Sequence, residues 1–295
     1  MSTLRTTPVS GVSFLVVAGV LWGTGGLLGS LFGAAAGLSP LAVATYRLGV
    51  GGLLIVGYLL VSGSVLPRGG AAWRRIAATG LLAALFQASY FTAVSLTSVS
   101  LATLVTIGSS PVLVLLVRRR HAGRRQLAAV VPALLGLALL VGLPADGPAA
   151  PGAGALLAGS AFALLAAAGF SVMTLLAARP VPGLDAATTT GLGFTIGGAV
   201  LLPVAAATAG VGFAVDARSI ALLVALGLVP TAVAYTCYFR GLRSASAGVG
   251  VLMALLEPLT AAVLAALLLG ERLGVAGVAG GLLLGVALAL AARSA

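Results

Sequence analysis

Long apolar runs separated by short polar connectors divide the chain into ten segments near 11–33, 39–62, 74–94, 97–117, 126–144, 152–178, 186–209, 218–239, 245–269 and 273–292. A helix needs about 20 mainly apolar residues to cross a bilayer core, so each segment predicts one membrane-spanning helix. Ten such spans use most of the chain and leave no gap for a soluble domain. The pattern therefore predicts an all-α membrane protein, with residues 1–295 as one membrane domain. The first run, Gly11 to Gly33, is too long for a signal-peptide core and ends without a clear cleavage site, so it is read as a retained span.

Composition agrees with this partition. The chain is 60% hydrophobic and only 7% charged, with a mean hydropathy of +1.21, whereas soluble domains carry roughly a quarter of their residues as charged side chains. The net charge of +11 changes meaning once it is placed on the spans, because all sixteen basic residues are arginine and most lie in connectors. With the N-terminus in the cytoplasm, thirteen of them fall inside: Arg5, Arg68, Arg74, Arg75, Arg118, Arg119, Arg120, Arg124, Arg125, Arg179, Arg240, Arg243 and Arg293. Only Arg218 and Arg272 fall outside. That bias follows the positive-inside rule and predicts two cytoplasmic termini; a nucleic-acid partner is not implied. The single Cys237 excludes a disulfide framework and is read as a packing residue.

The chain also resembles itself. Tyr90-Phe91-Thr92-Ala93 aligns with Tyr238-Phe239-Arg240-Gly241 at an offset of 148, and Thr97-Ser98-Val99-Ser100 through Pro111 aligns with Ser244-Ala245-Ser246-Ala247 through Pro258 at 147. The two halves, 11–144 and 152–292, each contain five spans. An odd number makes the second half enter the membrane in the opposite sense to the first, which predicts inverted five-helix repeats. The connectors fit: Arg118-Arg119-Arg120-His121-Ala122-Gly123-Arg124-Arg125 is strongly basic, whereas its counterpart reads Leu269-Gly270-Glu271-Arg272. Inverted repeats recur in secondary transporters, where two halves rock about a site near the midplane to give alternating access.

Four further features, in order along the chain, resemble the EamA-type branch of the drug/metabolite transporter superfamily. They are Leu21-Trp22-Gly23-Thr24, Tyr46-Arg47-Leu48, Ser109-Ser110-Pro111, and Leu256-Glu257-Pro258 followed by Leu269-Gly270-Glu271-Arg272-Leu273. The chain departs from that pattern where Gly123-Arg124 replaces a Gly-Glu pair, and no tryptophan in the second half matches Trp22. The resemblance implies two repeats of five spans and an exporter of amino acids, nucleotide-related metabolites or drugs.

Several polar residues lie inside the spans. Glu257, about halfway along the ninth, is the only acidic residue deep in any of them. A charged carboxylate at the bilayer centre costs on the order of 2.5–3.5 kcal/mol on insertion scales, so it should face a cavity or a partner. It is a candidate for substrate binding and for proton coupling; the alternative is that it bonds backbone groups beside the proline and only shapes the helix. Pro111 and Pro258 are expected to break the fourth and ninth spans, disturbing the carbonyls of Ile107 and Ala254. Such breaks belong in protein or against a wet cavity, though a packing kink is the plainer reading. Arg47, two turns into the second span, could hold a substrate carboxylate, pair with Glu257, or snorkel to the outer interface. Trp22, Tyr46, Gln87, Tyr90, Tyr235 and Tyr238 offer aromatic walls with polar tips, suited to an amphipathic organic substrate. Glycines at four-residue spacing, Gly19 and Gly23 in the first span and Gly277, Gly281 and Gly285 in the tenth, permit close helix approach. The tenth-span stripe could serve within the monomer or between two subunits of a homodimer, and internal packing is favoured.

Catalysis finds little material. One histidine and one cysteine supply no metal cluster, no base for a serine nucleophile is evident, and no Walker-type glycine loop is present. Neither a metal nor another cofactor is expected. The expected activity is secondary transport, with export of small polar metabolites such as amino acids, in the bacterial inner (cytoplasmic) membrane. The expected partners are a small-molecule substrate, the lipid bilayer and, in a coupled mechanism, protons. Multidrug efflux, a passive channel and a membrane scaffold are the alternatives.

Overall fold

A computed structural model of the chain describes residues 11–120, 123–142, 152–208, 210–268 and 274–293. Arg5, His121 and the run Leu269 to Leu273 lie outside the described residues, as do the predicted span ends at 143–144, 209, 269 and 273. Ten helices are long and apolar enough to cross a membrane, and no strand occurs among the described residues. They are Gly11–Ala36, Pro40–Val61, Gly70–Leu96, Val99–Val117, Arg124–Val141, Ala153–Ala177, Ala186–Thr208, Ala217–Gly241, Ala247–Leu268 and Val275–Ala292, called here the first to the tenth span. The third begins earlier than the hydropathy suggests, so Arg74 and Arg75 lie within its opening turns.

Polar residues at the ends set these boundaries. Ser39 caps the second span by accepting from the Ala42 amide at 3.2 Å, and Pro40 follows it, where no amide hydrogen is needed. Ser98 does the same for Leu101 in the fourth span, and its counterpart Ser246 for Val249 in the ninth. Asp185 and Asp216 serve the seventh and eighth. Gly37, at φ 64°, makes the left-handed turn between the first two spans that a Cβ would strain.

The packing is symmetric between the halves. The second span runs along the seventh and the fifth along the tenth; the third packs on the sixth and seventh, as the eighth packs on the first and second; the fourth rests on the sixth, as the ninth rests on the first. Every one of these pairs joins one half to the other, so neither half forms a separate bundle. Small residues make the approaches possible, since a Cβ on Gly52 would lie 2.4 Å from the Thr195 amide nitrogen, and one on Gly198 only 2.6 Å from the Gly49 Cα. Outward-facing side chains are apolar, Leu157 and Leu282 among them, as a lipid solvent requires.

Two spans are irregular. In the eighth, Leu228–Val233 forms a π-helical turn around Pro230 between Ala217–Gly227 and Ala234–Gly241. In the ninth, the helix stops at Met253 and resumes at Leu256, with Pro258 in the first turn of the second piece. The expectation for Pro111 is corrected: the fourth span continues through it as one helix. A proline forfeits a single amide donor and need not end a helix whose neighbouring bonds remain. Here the Ser110 hydroxyl donates back to the Thr106 carbonyl at 2.8 Å, one turn before the site of the missing donor. Ala254 also differs from expectation, because its carbonyl is taken by the Glu257 amide at 3.0 Å, an i to i+3 bond that tightens the turn.

Candidate functional site

Between the halves lies a cavity of about 770 Å³. Its walls come from the later part of the first and third spans, the early part of the second and fourth, and the second piece of the ninth. It opens at the arginine-poor end, where Gly33, Leu38, Val94, Val99, Val141 and Ala265 form its rim. At the other end the same helices converge.

Aromatic rings floor the cavity. The Trp22 ring stands 4.8 Å from Tyr235 and 6.0 Å from Phe170 between centroids, in edge contacts, and 4.8 Å from Tyr238. Phe194 closes on Tyr235 from behind at 4.6 Å. The Trp22 Nε1 is buried with no hydrogen-bond partner among the described residues, so the ring is held by shape and edge contacts. The first span reaches this position because Gly19 and Gly23 lie directly on the interrupted ninth span: a Cβ at Gly19 would sit 2.5 Å from the Met253 carbonyl, and one at Gly23 only 2.9 Å from that of Glu257.

Below the floor, arginines tie the spans to one another. The Arg75 guanidinium donates to the carbonyls of Leu176 and Arg179, Arg243 to that of Leu184, and Arg125 to that of Arg293 at 3.2 Å. Arg240 lies over the Phe14 ring at 4.7 Å, a cation–π distance. Gln126 adds a bond to the Ser246 hydroxyl at 3.0 Å. These contacts seal the arginine-rich end.

The polar wall carries most of the residues singled out in the sequence. Arg47, Gln87, Tyr90, Trp22, Tyr235, Glu257 and Pro258 all line the cavity. Glu257 sits in the first turn of a helix that starts inside the membrane, where the amide end of the helix favours negative charge. Arg47 donates through Nε to the Thr231 hydroxyl at 3.1 Å and through Nη2 to the Pro230 carbonyl at 3.2 Å. It is therefore held within the protein and does not snorkel, and among the described residues it forms no contact ion pair with Glu257. Tyr90 shares a hydrogen bond with Thr103 at 2.7 Å.

Two expected lining residues lie elsewhere. Tyr46 bonds the Val211 carbonyl at 2.6 Å and packs edge-on to Phe32 and Phe213, pinning the second span to the connector after the seventh. Tyr238 is fully buried under Trp22 and bonds Thr174 at 3.0 Å. Sequence reasoning missed Phe170, which stands 148 positions after Trp22 and meets it across the floor, and the Pro230-Thr231 pair that holds Arg47. A proline inside the eighth apolar run was the available signal for the second. Of the tenth-span glycines singled out, a Cβ on Gly281 would meet Leu259 and Leu140 at ordinary contact distance and Gly285 faces open space, while the close backbone approach to the fifth span is made by Gly280 against Gly136.

Among the described residues no group of three or more His, Cys, Asp or Glu gathers to hold a metal. A solved crystal structure superposes on the chain with a TM-score of 0.79, covering 97% of this chain and 99% of that one at 20% identity, which shows the fold alone. The Bacillus subtilis (strain 168) protein named uncharacterized transporter YwfM is 27% identical over 265 residues, 88% of this chain and 86% of its own length. The model of the EamA-like transporter family matches twice, at residues 9–142 and 157–293. With ten spanning helices, paired halves and a one-sided cavity between them, the chain is a multi-pass membrane transporter and belongs to the EamA-like transporter family of the drug/metabolite transporter superfamily.

Proposed function

We propose that this transporter exports small polar metabolites, such as amino acids and related organic compounds, across the bacterial inner membrane by alternating access between its two halves, 11–144 and 152–292. The observation that carries the reading is the large cavity between the halves, lined towards the arginine-poor end, with Glu257 and Arg47 on its wall and an aromatic floor. Placing the arginine-rich end in the cytoplasm, with both termini, makes this the outward-open state. Rocking of the halves would separate the Arg75 contacts with Leu176 and Arg179 and close the rim, presenting the floor to the other side. Glu257 would hold a substrate ammonium or a proton during the cycle, since a carboxyl inside the membrane and facing a wet cavity can exchange either.

The test is to express the wild type and Glu257→Gln in a bacterium and compare the spent media by untargeted mass spectrometry with an empty-vector control. One compound class should accumulate outside with wild type. With the variant it should fall by roughly tenfold, the effect of losing an interaction of about 1.4 kcal/mol. Three indistinguishable media, with expression in the membrane verified, would remove metabolite export and leave drug efflux as the next reading to test.

A further inference from the structure

A guanidinium has two hydrogen-bonding edges: a side edge formed by Nε and one Nη, and an end edge formed by both Nη groups. In Arg47 the side edge is spent inside the protein. Pro230 has no amide hydrogen, so the Leu226 carbonyl, which would pair with residue 230 in a regular helix, instead accepts the Thr231 hydroxyl proton at 2.9 Å. With its one proton committed, the Thr231 oxygen can only accept, and Nε of Arg47 donates to it at 3.1 Å while Nη2 donates to the Pro230 carbonyl at 3.2 Å. The proline-induced π turn thus fixes both the position and the orientation of the guanidinium.

Among the described residues the end edge has no protein acceptor, although Arg47 lines the cavity. Gly25 of the first span keeps it uncovered: a Cβ there would lie only 3.4 and 3.5 Å from the two Nη atoms, so any longer side chain would lie over the edge. The aromatic floor of Trp22, Phe170 and Tyr235 borders the same cavity. A planar carboxylate matches an end edge with two parallel bonds.

We propose that Arg47, aimed by Thr231 and Pro230 and left uncovered by Gly25, is a carboxylate-binding subsite that takes the head of an organic acid whose apolar body lies on the aromatic floor. The assignment rests on the reading of the cavity as the transport site. Thr231 is a positioning residue in it, acting through Arg47. Glu257 on the same wall disfavours a doubly charged head group, which separates carboxylates from phosphate esters.

The protein supplies its own reporter. Its two tryptophans are Trp22, on the cavity floor, and Trp73, exposed near the start of the third span. In the full-length Trp73→Phe protein, purified into nanodiscs, Trp22 emission is titrated with phenylacetate, phenethylamine and phenyl phosphate. Phenylacetate should produce a saturable change. Arg47→Lys, which keeps the charge and loses the fork, and Thr231→Val should each weaken it by about tenfold, the usual weight of a charge-assisted hydrogen bond. Thr231→Ser should restore binding, and the phenethylamine response should persist in all three. The subsite is overturned if folded protein gives no saturable phenylacetate response, if phenylacetate binds all variants equally, if both probes weaken together, or if phenyl phosphate binds more tightly. Export of metabolites by the wild type without any phenylacetate response would sink the subsite alone, whereas phenylacetate binding without export would sink the carrier reading.

Discussion

At the open end, Tyr90 of the third span lines the cavity and bonds Thr103 of the fourth; at the sealed end its counterpart Tyr238, 148 residues later, is fully buried and bonds Thr174 of the sixth. The difference follows the packing. Thr103 is matched at an offset of 147 by Gly250, where a Cβ would lie 3.3 Å from the Tyr238 hydroxyl, so in the second half the ninth span comes up against the tyrosine and offers it no side-chain oxygen. Gln87 and Tyr235, matched at 148, and Ser110 and Glu257, matched at 147, differ from this pair in that all four line the cavity. Related sequences in opposite orientations thus place Tyr90 in the open part of the molecule and Tyr238 in the closed part, while the other matched pairs meet on the cavity wall. Where the two members differ chemically, as Ser110 and Glu257 do, the two halves present different polar groups to the cavity.

The largest expected effect comes from the close helix pairs that join the two halves. A Cβ at Gly136 would meet backbone atoms of the tenth span at 2.7 and 2.8 Å, which no rotamer change relieves. Gly136→Val should therefore cost at least the 1–3 kcal/mol typical of overpacking, about what abolishes a monodisperse peak in size-exclusion chromatography. Gly285→Val, which faces open space on the tenth span, should elute like wild type. An equal loss for both would mean that the fifth and tenth spans are not held by this contact.

A smaller effect is expected from loosening one end. In a Cys237→Ser background, Gly26→Cys should react quickly with a maleimide, since nothing lies within 4 Å of its Cβ position, and Met173→Cys, buried in the sealed part, slowly. Arg75→Ala removes the tie to Leu176 and Arg179. Charged hydrogen bonds of this kind contribute about 1.5–3 kcal/mol at most, less at a partly exposed site, so Met173→Cys labelling should rise by roughly tenfold and Gly26→Cys labelling fall. If the first rate alone changes, the two ends are not coupled.

The smallest effect concerns Asp216, at the arginine-poor end of the eighth span. Hydrogen bonds from the Ser219 amide and hydroxyl, and then from the Arg218 amide, hold its carboxyl below the usual carboxylate value. A depressed folded-state pKa stabilises the protein above the unfolded value, and that contribution is lost as pH falls through the lower folded one. Melting scans should thus show a modest decline on the acid side of the carboxylate range that is reduced in Asp216→Asn, which keeps a capping oxygen and cannot ionise.

How much of this was legible in the sequence varies with the kind of residue. Spans and their number were readable because burial in lipid demands uninterrupted apolar stretches. The fates of the candidate residues were less so. Arg47 and Glu257 stood out as charges in apolar runs, and both line the cavity, but Tyr46 and Tyr238 carry the same aromatic signal as Tyr90 and Tyr235 and lie outside it. Pro111 and Pro230 look alike as prolines in apolar runs, yet one sits in a continuous helix and the other opens a π turn. The two differ in what surrounds them: around Pro230 the Thr231 hydroxyl takes the Leu226 carbonyl and Arg47 the Pro230 carbonyl, whereas near Pro111 the Ser110 hydroxyl bonds the Thr106 carbonyl.

The sequence by itself determined ten spanning helices, two related halves and the arginine bias between the ends, because membrane solvation and chain parity act on each segment locally. Only the tertiary structure decided which end is open, which tyrosine faces the cavity, and which edge of Arg47 remains free. Those features arise from contacts between spans up to 184 positions apart, such as Arg47 and Thr231, and a side chain's composition does not say which face of its helix the other half will cover.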